Sequence, residues 1–217
     1  MGNRILLFPY GGNSREACAA IAAQREAGVE VEFSGFLDDN FASLERRGVT
    51  LLGDRSAWPS LREAGYKLLA VPGSPESYSR REQLIASLEL RPGDMTSIVD
   101  PSVRQSESAR IGLNTLILAF SFLGASSEVG NHCVLLSHVV VSHDVKVGDF
   151  SLIGAGACIS GGAIVGKGCY IGASSSIISG VTIGDGALVG IGANVIHDVP
   201  ARAVVAGNPA RILRYQL

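Results

Sequence analysis

The sequence has 217 residues, a formal net charge of −2, 47% hydrophobic residues and 18% charged residues. This balance is typical of a globular chain and excludes a disordered one, and the weak charge gives no reason to expect nucleic acid or a membrane as a partner. No apolar run has the length of a membrane span, and the first residues do not resemble a signal peptide. Because the four cysteines show no paired spacing, we expect reduced thiols in a cytoplasmic protein.

The first 95 residues alternate short apolar runs with helical patterns. The pattern predicts strands over 4–9, 31–37 and 67–71, and helices over 14–27, 56–64 and 76–88. Ser14 is the predicted cap of the first helix. Alternating strands and helices indicate a small parallel α/β domain, and residues 91–97 form the predicted linker that follows it.

Ligands of parallel sheets bind at the carboxyl ends of the strands. The residues after the predicted strands are therefore the candidate substrate-binding residues: Gly11, Gly12, Asn13, Asp38, Asp39 and Gly73. The glycine turn offers backbone N–H groups to a diphosphate, and an acid can accept hydrogen bonds from a ribose or a base.

An aliphatic residue recurs at every sixth position from Ile111 to Val195, fifteen times without a register slip. A small residue usually stands two positions before it, so both side chains point to the same side of a strand. This period predicts a β-helix of hexapeptide repeats with three hexads per coil. In every third hexad the aliphatic is followed by glycine (Gly112, Gly130, Gly148, Gly166 and Gly184), which predicts one edge of tight corners.

All four histidines lie in the repeat, and His143 is the candidate catalytic residue. Its position in the hexad points outward and Asp144 follows it, and an imidazole beside a carboxylate is the usual general base near neutral pH. One and two coils further on, the same edge has only small residues: Gly161, Gly162, Ser179 and Gly180. This bare strip can accommodate a thin pantetheine arm.

Two other readings of the histidines are open to test. His197 and Asp198 repeat the dipeptide three coils later, and they either flank the far end of the cofactor or are simply solvated. His138 and His143 have the spacing of two zinc ligands in the gamma-class carbonic anhydrases. The positions for a third ligand hold Ser102 and Glu107 instead of histidine, so we predict no metal site.

Four motifs carry a resemblance that extends over the whole chain. They are GFLDD at 35–39, DPS at 100–102, SHD at 142–144 before VGDF at 147–150, and GNPAR at 207–211. The chain resembles the bacterial acetyltransferases that modify nucleotide-linked amino sugars and the related sialic acid O-acetyltransferases. The resemblance implies an N-terminal Rossmann-like α/β domain, residues 1–95, that binds the nucleotide sugar. It also implies a C-terminal left-handed parallel β-helix, residues 96–217, that transfers the acetyl group.

The resemblance also implies the roles of individual residues. His143 is then the base, Asp144 orients it, and the thioester lies near Gly161. Acetyl-CoA is held by Gly161, Gly162, Ser179, Gly180 and Arg211, between the β-helices of a homotrimer. The implied reaction is N-acetylation of a nucleotide-linked amino sugar in bacterial glycan biosynthesis. The alternatives are O-acetylation of a sugar or sialic acid, and a non-catalytic sugar-nucleotide-binding scaffold.

Three positions depart from the pattern of that family. The front loop commonly has a histidine between two glycines, and here it reads Gly12-Asn13-Ser14. Leu152 stands where a second histidine often follows the base, and Leu136 stands where an asparagine is common one coil earlier. All three lie where the acceptor or the acetyl carbonyl is expected.

Overall fold

A computed structural model describes residues 3–41, 44 and 49–216. The N-terminal α/β domain contains a parallel sheet in the order β3-β2-β1-β4. Its strands are β1 (Asn3–Phe8), β2 (Val31–Leu37), β3 (Leu51–Gly53) and β4 (Lys67–Ala70). Helix α1 (Gly12–Glu26) packs on one face of this sheet, and α2 (Trp58–Glu63) and α3 (Arg81–Ala86) pack on the other.

The helices of this domain differ from the predicted ones. Helix α1 starts two residues before Ser14, which is not the cap; its hydroxyl accepts the Gly11 N–H at 2.9 Å. The predicted helix over 76–88 is a 3-10 turn (Tyr78–Arg80) followed by the short α3. The chain bends there because Tyr78 is buried against the second domain, where its hydroxyl donates to the Gly186 carbonyl at 3.0 Å.

Residues 98–195 form a three-sided parallel β-helix of two-residue strands. One side, the docked face, contains β5 (Ile98–Val99), β8 (Leu116–Ile117), β11 (Val134–Leu135), β14 (Leu152–Ile153), β17 (Tyr170–Ile171) and β20 (Leu188–Val189). The second face contains β6 (Arg104–Gln105), β9 (Phe122–Leu123), β12 (Val140–Val141), β15 (Cys158–Ile159), β18 (Ser176–Ile177) and β21 (Asn194–Val195). The third face contains β7 (Arg110–Ile111), β10 (Glu128–Val129), β13 (Lys146–Val147), β16 (Ile164–Val165) and β19 (Thr182–Ile183).

The interior of the β-helix confirms the predicted hexapeptide repeat. Each of the fifteen repeating aliphatics is the second residue of its strand, and all of them pack in or against one continuous core. The small residues two positions earlier are buried as well, including Cys133 and Cys169 at 0% exposure. In twelve of the fifteen hexads one large and one small inward side chain fill the narrow prism, and in the other three Val139, Val145 and Val181 take the place of the small residue.

The glycine edge is explained by close backbone contacts between coils. A Cβ atom at Gly112 would lie 2.5 Å from the carbonyl carbon of Gly130, and one at Gly148 would lie 2.6 Å from that of Gly166. Real Cβ atoms do not approach backbone so closely, so only glycine allows successive coils to stack there.

The α/β domain covers the docked face. Leu116, Val134 and Leu152 point outward from that face and are buried against Ala17 and Ile21 of α1. Burial of this apolar surface joins the two domains into one packed unit.

The glycine edge lies between the third face and the docked face, and we also call it the docking edge because it contacts the α/β domain. It runs through Asn114, His132, Phe150, Gly168 and Gly186. The Asn114 amide exchanges two hydrogen bonds with the backbone of Ala70, at 2.7 and 2.9 Å. These bonds fix the carboxyl end of β4 against the β-helix.

The β-helix ends in an antiparallel hairpin. Strand β22 (Ala203–Gly207) still pairs in parallel with β20, and β23 (Ala210–Tyr215) turns back along β22. Ala203 and Val205 complete the interior core. None of the helices in the described ranges has the length and apolar character that a bilayer span needs.

Candidate active site

His143 lies on the edge between the second and third faces, directly after β12 and before β13. The side chains of His143 and Asp144 are 69% and 65% exposed. The hexad places both residues at a corner because inward positions are occupied by the flanking aliphatics. Asp144 itself adopts a left-handed conformation with φ of 59°, and its N–H donates to the Ala125 carbonyl at 2.9 Å.

The two side chains form a hydrogen-bonded pair. His143 Nδ1 and Asp144 Oδ2 are 2.9 Å apart. Because an ionised carboxylate can only accept, this bond places the imidazole proton on Nδ1 and leaves Nε2 as the proton acceptor. The side chain is largely exposed, so the pair is accessible from solvent, as a general base requires.

Gly161 lies under the imidazole ring. A Cβ atom at this position would be 2.5 Å from both Cε1 and Nε2 of His143. The glycine therefore leaves room for the Cε1 and Nε2 atoms of the ring against the next coil. The Gly161 N–H also makes no hydrogen bond among the contacts that the structure describes, although its carbonyl accepts the Gly180 N–H at 3.1 Å. A free donor thus lies beside the proton acceptor.

The predicted cofactor strip continues along this edge. Gly162 and Gly180 have φ of 70° and 74°, a conformation that favours glycine, and the lack of side chains there leaves the backbone bare. Exposed Ile178 flanks the strip on one side. Further along, Asp198 accepts the Thr182 N–H at 2.8 Å, so it has a structural contact of its own. Arg211 lies on β23, exposed to solvent.

The two predicted acids of the α/β domain already have protein partners. Asp38 is 4% exposed, and its carboxylate accepts the N–H groups of Tyr10 at 2.9 Å and Asn40 at 2.7 Å. Asp39 forms an ion pair with Arg55, whose guanidinium lowers the pKa of that carboxyl. Asp38 therefore shapes the turn after β1, and Asp39 fixes an arginine at the rim.

Asn13 joins the loops that follow β1 and β4. Its amide nitrogen donates to the carbonyls of Val71 at 3.1 Å and Gly73 at 3.2 Å. Of the backbone N–H groups in the glycine turn, those of Tyr10 and Gly11 are bonded to side chains. Those of Gly12 and Asn13 make no hydrogen bond among the described contacts, so they are available at the start of α1.

A cavity of about 420 Å³ opens where these two loops meet. Pro9, Pro72 and Gly73 come from the carboxyl ends of β1 and β4, and α3 closes the other side. Three arginines line it, Arg55, Arg80 and Arg81, and the sequence analysis identified none of them. Nothing in the local sequence marks them, because only the fold brings residue 55 next to α3.

The remaining histidines lie apart from His143. His132 is on the docking edge, stacked on Phe150 with ring centroids 4.6 Å apart, and burial lowers its pKa. His138 is on the edge between the docked and second faces, stacked on Phe120. Within the described ranges, no three His, Cys, Asp or Glu residues lie close enough together to hold a metal ion.

The candidate base and the candidate acceptor residues lie on opposite sides of the prism. The α/β domain covers the docked face, whereas His143 is on the edge opposite that face. One chain by itself therefore does not bring them together.

The sequence matches the model of a known repeat family. The model for the bacterial transferase hexapeptide, with six repeats, matches residues 144–179. No match was found among curated proteins. The repeat and the parallel strands fit a left-handed β-helix that follows an N-terminal α/β domain.

Solved structures match nearly the whole chain. A histidine-to-asparagine mutant of perosamine N-acetyltransferase from Caulobacter crescentus, in complex with CoA and GDP-perosamine, is 26% identical, covers 99% of this chain and 98% of its own, and has a TM-score of 0.81. The acetyltransferase domain of PglB from Neisseria gonorrhoeae is 24% identical, with coverage of 98% and 100% and a TM-score of 0.82. WeeI from Acinetobacter baumannii is 22% identical, with the same coverage and a TM-score of 0.74. The similarity to PglB and to WeeI supports the fold alone. The predicted resemblance is confirmed.

Proposed function

We propose that this chain is an acetyl-CoA-dependent N-acetyltransferase that acts on a nucleotide-linked amino sugar in bacterial glycan biosynthesis. The observation that carries the proposal is the hydrogen-bonded pair of His143 and Asp144 lying on Gly161, at the head of a strip without bulky side chains. The similar protein from Caulobacter crescentus, which is named for this type of reaction, was solved with CoA and a GDP-linked sugar.

The geometry supports direct transfer from the thioester to the acceptor amine. The neutral amine attacks the thioester carbonyl carbon, and the carbonyl oxygen becomes an oxyanion that the free Gly161 N–H stabilises. His143 Nε2 takes the proton that the attacking nitrogen loses, while Asp144 stabilises the imidazolium. The carbon–sulfur bond then breaks, and the CoA thiolate leaves and receives the proton from His143. The products are the N-acetyl sugar and CoA.

The α/β domain is the part that we assign to the nucleotide. Its strand order reverses direction between β1 and β4, and ligands of doubly wound sheets bind at such a point. Asn13 ties the two loops together there, and the free N–H groups of Gly12 and Asn13 lie at the positive end of α1. We propose that this domain is Rossmann-like, both in its strand order and in binding a nucleotide. Gly11, Gly12, Asn13, Asp38, Asp39 and Gly73 then form or support its acceptor site.

We further propose that the active enzyme is a homotrimer. The base of one chain faces away from its own α/β domain, so an acceptor held by that domain needs the His143 edge of a second chain. Phe120 lies beside the second face and Phe122 on it; they are 66% and 46% exposed and offer apolar surface to a copy. Cyclic symmetry closes such an assembly.

The decisive experiment measures CoA release with UDP-, dTDP- and GDP-linked amino sugars. We expect turnover with at least one of them, and a loss of ~10²-fold or more in His143→Ala because general-base catalysis contributes about that factor. His138→Ala is the matched control, since it removes another exposed imidazole from the same coil. Because His138 stacks on Phe120, light scattering on this variant checks that the trimer persists. A scaffold without catalysis would bind a sugar nucleotide and release no CoA from acetyl-CoA. Near wild-type turnover in His143→Ala would remove the mechanism.

A further inference from the structure

The cavity at the junction of the β1 and β4 loops contains more positive charge than its surroundings neutralise. Its charged lining consists of Arg55, Arg80 and Arg81, and no acidic residue lines it. Asp39 pairs with Arg55 from the rim, which leaves one net formal charge on each of the other two arginines. Neither Arg80 nor Arg81 forms an ion pair with any residue in the described part of the chain.

Arg81 is the more unusual of the two, since it is 1% exposed. Its guanidinium donates to three carbonyl oxygens: those of Phe150 at 3.0 Å, His132 at 2.6 Å, and Pro72. Carbonyl groups satisfy these donors but do not cancel the charge, and burial lowers the pKa of Arg81 to about 10. A buried cation is costly unless a counter-charge lies nearby.

The backbone at Gly73 makes room for this arginine. Gly73 has φ of 126°, and a Cβ atom there would lie 2.9 Å from Cδ and 3.0 Å from Cγ of Arg81. Asn13 holds the same glycine through its carbonyl. The loop that closes the cavity is thus built around the buried cation and fixed to the start of α1.

We propose that this cavity binds the diphosphate of a nucleoside diphosphate, with Arg80 as a direct ligand and Arg81 as the buried counter-charge. The proposal rests on the function proposed above and names the residues that recognise the acceptor. A sugar nucleotide carries one negative charge on each phosphate, which matches the two unpaired guanidinium groups. Guanidinium also donates parallel hydrogen bonds to phosphate oxygens, and the volume of about 420 Å³ is that of a small-molecule site.

Calorimetry on the intact chain tests this assignment. The probes are GDP, UDP and dTDP, the corresponding uncharged nucleosides, and inorganic pyrophosphate. We expect at least one nucleoside diphosphate to bind, and its nucleoside to bind far more weakly. Arg80→Gln should raise the Kd of the diphosphate by about tenfold or more, because it removes a charge-assisted hydrogen bond. It should also flatten the salt dependence of binding.

The matched control is Arg110→Gln, which removes an exposed arginine from the third face. It should leave the Kd unchanged. Wild-type affinity in Arg80→Gln, or no binding of any nucleoside diphosphate or of pyrophosphate, would overturn the assignment. Arg80 is exposed, so its replacement does not threaten the fold. Arg81→Ala removes the bonds to the Phe150 and His132 carbonyls and should loosen the domain contact.

The outcomes separate this inference from the proposed function. If nucleotide binding depends on Arg80 but no acetyl transfer occurs, the diphosphate site is supported and the proposed acetyltransferase activity is rejected. If acetyl transfer occurs and Arg80→Gln leaves the KM of the acceptor unchanged, the acetyltransferase activity is supported and the diphosphate site is rejected. If both hold, Arg80→Gln raises the KM of the acceptor and leaves the KM of acetyl-CoA as it was.

Discussion

The absence of a side chain at position 161 determines how the His143 imidazole can lie. Gly161 has no left-handed φ, so alanine fits the backbone, and the three atoms nearest to the new methyl group all belong to the imidazole, two of them at 2.5 Å. We expect Gly161→Ala to leave the fold intact and to lower kcat by about tenfold or more, because small displacements of a base are costly. Steady-state kinetics and a thermal melt measure the two effects.

A double-mutant cycle isolates this effect from other consequences of the methyl group. In the His143→Ala background, Gly161→Ala should have little further effect, since the ring that it displaces is gone. Equal losses in both backgrounds would mean that the methyl group acts on the cofactor or on the oxyanion donor instead.

Individual site residues were predictable where the repeat fixed their position. The hexad register places His143 outward, and its neighbour in sequence is also its hydrogen-bond partner. The acceptor-binding residues of the α/β domain were harder to predict from the sequence. Asp38 and Asp39 follow a strand as predicted, but their partners Tyr10 and Arg55 are distant in sequence. Only the folded chain reveals which acids are already bonded and that arginines line the cavity.

At the scale of elements, two aspartates support the glycine edge. Asp149 Oδ1 accepts the Asn131 N–H at 2.7 Å, and Asp185 Oδ1 accepts the Lys167 N–H at 2.8 Å. Gly130 and Gly166 leave the space that these carboxylates occupy. We expect Asp149→Ala to destabilise the protein by about 1 kcal/mol, because it leaves a backbone donor without its partner. Denaturant unfolding measures the change.

Asp144→Ala is the informative comparison for this experiment. Asp144 is also a corner aspartate, but its side chain bonds only to His143 among the described contacts. Its removal should lower turnover and leave the unfolding free energy nearly unchanged. Asp149→Asn should recover part of the stability, since an amide oxygen still accepts. Equal stability losses in Asp144→Ala and Asp149→Ala would contradict the distinction.

The β-helix was predictable because the pattern that determines it repeats within every hexad. The α/β domain instead depends on contacts between residues that are distant in sequence. Fifteen strands follow from a single period, yet β5 and β6 precede the first regular hexad and lacked that signal. In the α/β domain, β2 has the predicted bounds, but the helix expected over 76–88 is divided where Tyr78 meets Gly186. The hairpin of β22 and β23 was not predicted, because it abandons the repeat.

At the scale of the whole molecule, we expect light scattering to give about three times the chain mass of 22.6 kDa. The reason is that the base and the α/β domain of one chain lie on opposite sides of the prism. Mixed trimers extend the test: His143→Ala chains combined with chains that have lost nucleotide binding should regain activity, since each supplies the half that the other lacks. An active monomer would refute the shared site.

Activity should also persist in EDTA. The proposed chemistry needs only a proton acceptor and a backbone donor, both supplied by His143 and Gly161. We expect the same rate before and after dialysis against the chelator, with zinc content measured on the same sample. Stoichiometric zinc, together with activity that the chelator abolishes, would instead support a zinc site like that of the gamma-class carbonic anhydrases.

The terminal hairpin has a consequence for polymerisation. A parallel β-helix is a stack in which each coil is a template for the next, so an open last coil would accept the first coil of another molecule. Here β22 covers the docked-face strand of that template, and β23 reverses direction along it. Strand β20 is thereby paired on both of its edges, which opposes end-to-end growth of a repeat without an intrinsic length into a fibre.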